Sequence, residues 1–193
     1  MTDFAARLEQ VSREDMLADP QVLTRTLVGA QSLFGLDAVV VPVERVEVAA
    51  EAVRRLRALL GDRAALVALL PDPELELANA LDLQHVDVVA VTADEPEPDR
   101  LAPLWNVARY YSAATWLVCP RGSAEAARAG ADAVAVWEGA GPDELLAAGA
   151  RRVGVAVEPG APPPPLPAGG FHTTAGELPA DADVDWFREV ARS

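Results

Sequence analysis

The chain has 193 residues, of which 51% are hydrophobic and 24% charged. That length and apolar fraction suit a single domain with a sizeable core and exclude a chain that is disordered as a whole. Its 16 basic and 30 acidic residues leave a formal net charge of -14, a field that repels nucleic-acid phosphates and anionic membrane surfaces.

Every basic residue is Arg; the chain has neither Lys nor Ile. Both absent residues use AT-rich codons, which points to a GC-rich bacterial coding sequence. Without Lys there is no side-chain amine for a Schiff base and no P-loop lysine. The single Cys119 excludes an internal disulfide and a cysteine-based zinc finger. The first residues, MTDFAARLEQ, lack the basic-then-apolar order of a secretory signal. No apolar run reaches the roughly 20 residues of a membrane span. The expectation is a soluble cytoplasmic protein.

Along the chain, helical segments are predicted near Asp3–Val11 and Gln21–Phe34. Short apolar runs then recur at Asp37–Val43, Ala65–Leu70, Val86–Thr92, Thr115–Cys119, Asp132–Trp137 and Arg152–Val157, with a weaker one at Gly170–Thr174. Near-continuous apolar runs of this length fit parallel strands covered on both faces. Helices are predicted between them at Val46–Leu60, Pro73–Leu83, Leu101–Ala113, Ser123–Ala129 and Pro142–Ala148, with Gly61, Gly130 and Gly149 as stops. Alternation of this kind predicts an α/β fold, a reduced TIM-type (β/α) barrel with parallel strands lacking part of the usual N-terminal region. Residues 1–193 form one barrel domain in this reading, with N-terminal helices over 1–34. The run APPPPLP makes 161–168 a stiff Pro-rich connector.

Several segments, in order, resemble the uroporphyrinogen decarboxylase superfamily, which includes the cobalamin-dependent methyltransferases. They are Leu33–Val43 (LFGLDAVVVPV), Val67–Leu81 (VALLPDPELELANAL), Val86–Glu95 (VDVVAVTADE) and Gly170–Val190 (GFHTTAGELPADADVDWFREV). The resemblance implies a barrel whose site lies at the C-terminal strand ends. It also implies losses. The decarboxylases' Arg-rich loop has no counterpart, their catalytic Asp falls near Glu44, their Tyr near Asn79 or Ala80, and their His on Ala175. Of the methyltransferases' three zinc ligands only Cys119 is retained. The ligand classes suggested are a tetrapyrrole, a corrinoid-linked compound or a methyl donor, with the inherited decarboxylase and zinc sites largely lost; if active, the chain would be a lyase or a methyltransferase-like enzyme. No cofactor and no metal is expected. Alternatives are a catalytically inactive accessory subunit, partnered by another protein or a second copy, and an enzyme with a site rebuilt from Glu44, Cys119 and His172.

The residues themselves offer one constellation. Acidic groups stand at or just beyond the predicted strand ends: Glu44, Asp72, Asp94 with Glu95, Glu138 and Glu158. A parallel barrel gathers such ends on one rim, where carboxylates can supply acid/base pairs. The competing explanation is that loops of an acidic chain are acidic and that Asp before a helix is a cap. Arg121, beside Cys119, offers a fork for a ligand carboxylate and a means of activating the thiol. Arg25 offers the same fork. His172 is a candidate base.

Overall fold

The computed structural model describes residues 2–158, 160–174, 185–186 and 190. Three helices come first: α1 (Thr2–Leu8), α2 (Arg13–Ala18) and α3 (Pro20–Phe34). Then β1 (Ala38–Pro42), α4 (Val46–Leu60), β2 (Ala65–Leu70), α5 (Leu75–Ala80), β3 (Val88–Thr92), α6 (Pro98–Tyr110) and β4 (Ala114–Cys119) follow in alternation. β5 (Ala133–Val136), α7 (Pro142–Ala147), β6 (Val153–Val157) and β7 (Phe171–Thr174) complete the order. The seven strands pair in chain order, all parallel, as a curled half-barrel. The predicted α/β partial barrel is the observed architecture.

Alternation along each strand sorts the side chains onto two faces. Val39, Val41, Leu66, Leu70, Val89, Leu117 and Val134 share one buried cluster with α4 and α6 residues such as Val53, Leu56, Leu101 and Leu104. The opposite face carries Val67, Ala90, Val118 and Ala135, also buried. Gly154 belongs to that face. A Cβ there would stand 2.8 Å from the Ala135 Cβ and 3.0 Å from the Phe171 ring. Its bare backbone lets Phe171 lie across the sheet and meet Trp116 edge-on, with ring centroids 5.3 Å apart.

A repeated device fixes the strand starts. Asp87 accepts the backbone N–H of Leu66 at 2.7 Å, and Asp132 accepts that of Thr115 at 3.0 Å. Each Asp sits just before its strand and ties down the start of the preceding one. Arg57 of α4 pairs with Asp87 and donates to the His85 and Gly61 carbonyls, joining helix, loop and sheet. Asp37 holds the same position before β1, where no earlier strand lies beside it. Ala65 N donates to Asp37 O and Val43 N to Leu69 O, so alternate residues from 37 to 43 face β2. Pro42 therefore turns its N, which has no proton to give, to the free side of this edge strand, where proline is tolerated.

The helices before β1 reach across to the far end of the sheet. Ala5, Ala30 and Phe34 cluster with Val157 of β6 and with Trp186. α3 is capped by Asp19, which accepts from Gln21 N at 2.7 Å, and it ends on Gly35 at φ 67°.

Some boundaries differ from the sequence reading. α2 was not predicted, although Ser12 caps it by accepting from Asp15 N at 3.0 Å. The segment 124–128 is a 3-10 turn rather than an α-helix, and α5 stops at Ala80, before a separate 3-10 turn at Leu83–His85. α6 starts earlier than predicted, at Pro98, and carries Pro103 on its exposed side. No described helix is long and apolar enough to cross a membrane.

Asp132 is opposed by its partial burial, but the Thr115 hydroxyl and N–H, with Arg109 and Arg151, outweigh that and hold its carboxyl below the ordinary range. A lowered folded value stabilises above the unfolded one, near pH 4, and that contribution is lost as pH falls further. We expect Asp132→Asn to flatten the loss of thermal stability between pH 5 and pH 3, measured by circular dichroism. Asp87→Ala should cost about 1–3 kcal/mol in urea unfolding, because Leu66 N loses its acceptor and Arg57 its partner. Asp37→Ala should change stability by under about 0.5 kcal/mol.

Candidate functional site

The strands' C-terminal ends lie on one rim, and the residues singled out from the sequence divide there into two groups. Asp94, Cys119, Arg121 and Glu138 lie at or just beyond the ends of β3, β4 and β5, where they form two pairs. The Cys119 thiol reaches the Asp94 carbonyl at 3.4 Å, and the Arg121 guanidinium lies 3.7 Å from the Glu138 carboxylate. The others stand apart from these pairs. Glu44 is paired with Arg13 at the start of α2. Asp72 and Glu158 are exposed, and their backbone carbonyls accept from Glu74 N and Ala161 N. His172 shares a hydrogen bond of 2.9 Å with the Pro164 carbonyl, which requires Nε2 to carry the proton. Arg25 pairs with Glu9 at 3.1 Å.

The trio Glu44, Cys119 and His172 divides among separate partners: Glu44 meets Arg13, Cys119 the Asp94 carbonyl and His172 the Pro164 carbonyl. Among the described residues no three His, Cys, Asp or Glu side chains gather as a metal could use them. Cys119 is buried at the end of an apolar strand. Burial pushes its thiol above the ordinary value, and the negative charge of Asp94 adds to that. The expectation that Arg121 activates the thiol is therefore corrected: Arg121 is turned to Glu138, and its side chain is 81% exposed.

Two glycines let the loops after β4 and β5 meet. A Cβ on Gly139 would fall 2.3 Å from the Gly122 carbonyl oxygen, and Gly139 takes φ 110°. A Cβ on Gly122 would fall 2.8 Å from a Val136 methyl and 2.9 Å from the Cys119 sulfur. Glu138 N donates to Pro120 O at 2.9 Å, which continues the ladder past the strand ends and fixes where Glu138 departs. The Arg121–Glu138 pair is exposed on both sides, so it costs little to exchange for a ligand.

Trp137 is a residue the sequence reading passed over. It follows β5 directly and falls on the same alternation as Ala135 and Trp116. The indole N–H groups of Trp116 and Trp137 are both buried with no acceptor among the described residues, a costly arrangement for a donor. Trp105 shows the contrast, since its indole donates to the Ala129 carbonyl at 2.9 Å. The available signal was a tryptophan at a strand's C-terminal end, next to an acid.

No family model and no curated protein sequence matches the chain. Among solved structures it is similar to a KDPGal aldolase in its native form, with a TM-score of 0.55 and 19% identity over 87% of this chain and 84% of that one. This likeness is one of fold. It overturns the resemblance to the uroporphyrinogen decarboxylases and methyltransferases, and with it the tetrapyrrole, corrinoid and methyl-donor ligands. The physical reason is visible in the fold. The segments LDAVVV and VDVVAV match through an Asp that stands just before an apolar run, and such runs are what a curled parallel sheet demands for its own stability. The last segment of that resemblance, after Thr174, lies mostly outside the described residues.

A buried thiol with a raised pKa should react slowly. Cys119 alkylation by iodoacetamide at pH 7.5, followed by intact mass, is expected to run at least about tenfold slower than that of a free thiol of ordinary pKa. Gly122→Ala should cost about 1–3 kcal/mol by overpacking against Val136 and Cys119.

Proposed function

We propose that the chain has an aldolase-like function, acting on a small hydroxy-carbonyl compound at the rim formed by the loops after β3, β4 and β5. The likeness in fold to a KDPGal aldolase, extending over 87% of the chain, is the observation that carries this reading. In barrels of this kind chemistry sits at the C-terminal strand ends, and Asp94, Arg121, Trp137 and Glu138 stand there.

The absence of Lys sets the chemistry apart from imine catalysis, since no side-chain amine can condense with the carbonyl. Cleavage would instead run through general acid–base steps. A carboxylate, Glu138 or Asp94, takes the hydroxyl proton of the substrate, and the adjacent carbon–carbon bond breaks. Its electron pair passes into the carbonyl fragment as an enolate, which is then protonated on carbon. Arg121, released from Glu138, offers two N–H groups to a carboxylate or to the developing enolate oxygen. The vacant indole N–H of Trp137 is a donor for a substrate oxygen.

The test is cleavage of KDPGal by the purified chain, followed by proton NMR. We expect slow conversion, with Arg121→Ala and Glu138→Gln each lowering kcat/KM at least about tenfold. Borohydride reduction during turnover should leave the intact mass unchanged. No conversion at millimolar substrate over a day would sink the aldolase reading, and a reduced covalent adduct would sink the imine-free mechanism.

A further inference from the structure

We infer that residues 161–167 form a pre-ordered polyproline II ligand for a partner with an aromatic-lined groove. Pro162 to Pro165 are consecutive and Pro167 follows Leu166. Each ring fixes its own φ, and each following proline keeps its predecessor out of the α region. The segment contains no helix or strand. A chain so restricted repeats every three residues, so positions three apart share a face.

The contacts follow that period. The Ala161 carbonyl accepts the Trp186 indole N–H at 2.7 Å. The Pro164 carbonyl is bonded to His172 Nε2 at 2.9 Å. The Pro167 carbonyl accepts the Gly170 N–H at 2.8 Å. Of these carbonyls, 161 and 164 are held by side chains from elsewhere in the chain, and 167 closes the turn that ends the segment. The intervening residues Pro162 and Pro165 are exposed, whereas Pro163, Pro164 and Pro167 are partly buried. Leu166, next to the second exposed proline, is 39% exposed.

A linker that only spans distance has no need of two side-chain fastenings one turn apart. Fastening one face leaves two proline rings, three residues apart, presented to solvent in a fixed conformation. That is the pattern read by WW- and SH3-type grooves, in which aromatic side chains clasp successive proline rings and the ordering entropy is already met. The net charge of -14 directs the choice toward a groove with a neutral or basic rim.

The experiment titrates the isotope-labelled full chain with an isolated WW-type domain of basic rim. Saturable shifts are expected at Pro162, Pro165, Leu166 and their neighbours. Pro162→Ala with Pro165→Ala should weaken binding at least about tenfold while the circular dichroism spectrum stays unchanged. His172→Ala removes one fastening without touching a proline and should weaken binding about two- to fivefold; if it lowers stability, His172→Phe, which keeps a ring but has no donor, serves in its place. No saturable binding at 1 mM domain, or equal binding by the double proline variant, would overturn the inference. Binding that survives loss of the His172 fastening in full would overturn the pre-ordering on which it rests.

Discussion

Pairing seven parallel strands in chain order obliges every crossover to return over the same face, and the sheet has to curl beneath the helices so laid down. From that constraint most of the molecule follows. Strands with helices on one side and opposing strands on the other are apolar throughout, which is why Ala90 and Ala135 are as buried as Val89 and Val134. Curling also brings inner-face side chains from separate strands toward one another. Gly154 and Phe171 show how tightly, since one supplies the space that the other fills. The loops after β4 and β5 meet under the same compulsion, through Gly122 and Gly139.

The architecture was legible in the sequence because this burial leaves a signature that period and length can detect. Val39, Val41, Leu66, Val89, Leu117, Val134 and Val155 lie within the apolar runs predicted as covered strands, and all are buried. α2 escaped notice because its six residues, REDMLA, are too few to show a helical stripe. What marks it is the exchange between Ser12 and Asp15, in which the Ser12 hydroxyl accepts from one backbone N–H and donates to the carboxylate.

The site was less legible, for a reason that also explains the mistaken family resemblance. An Asp before a strand looks like a functional marker when read alone. In Asp87 and Asp132 it is a fastening for the neighbouring strand's backbone. Carboxylates beyond the strand ends look alike in sequence, yet Glu44 turns to Arg13 while Glu138 turns to Arg121. Which way each turns is decided by contacts between loops far apart in the chain. Trp137 was missed because a tryptophan after an apolar run reads as core, and only the absence of an acceptor for its N–H among the described residues sets it apart.

Pro42 gives the sheet a direction. A half-barrel has two ends at which further strands could add, and an exposed edge is a template for joining other chains into aggregates. On the β1 side, of the three residues whose backbone faces outward, only Ala38 and Val40 have an N–H to offer, and the third position is mute. A strand arriving there would find two donors and then a gap at the end nearest the rim. The proline thus acts as a terminator for lateral growth, and it holds the sheet at a finite width without the closing strand that a complete barrel would use.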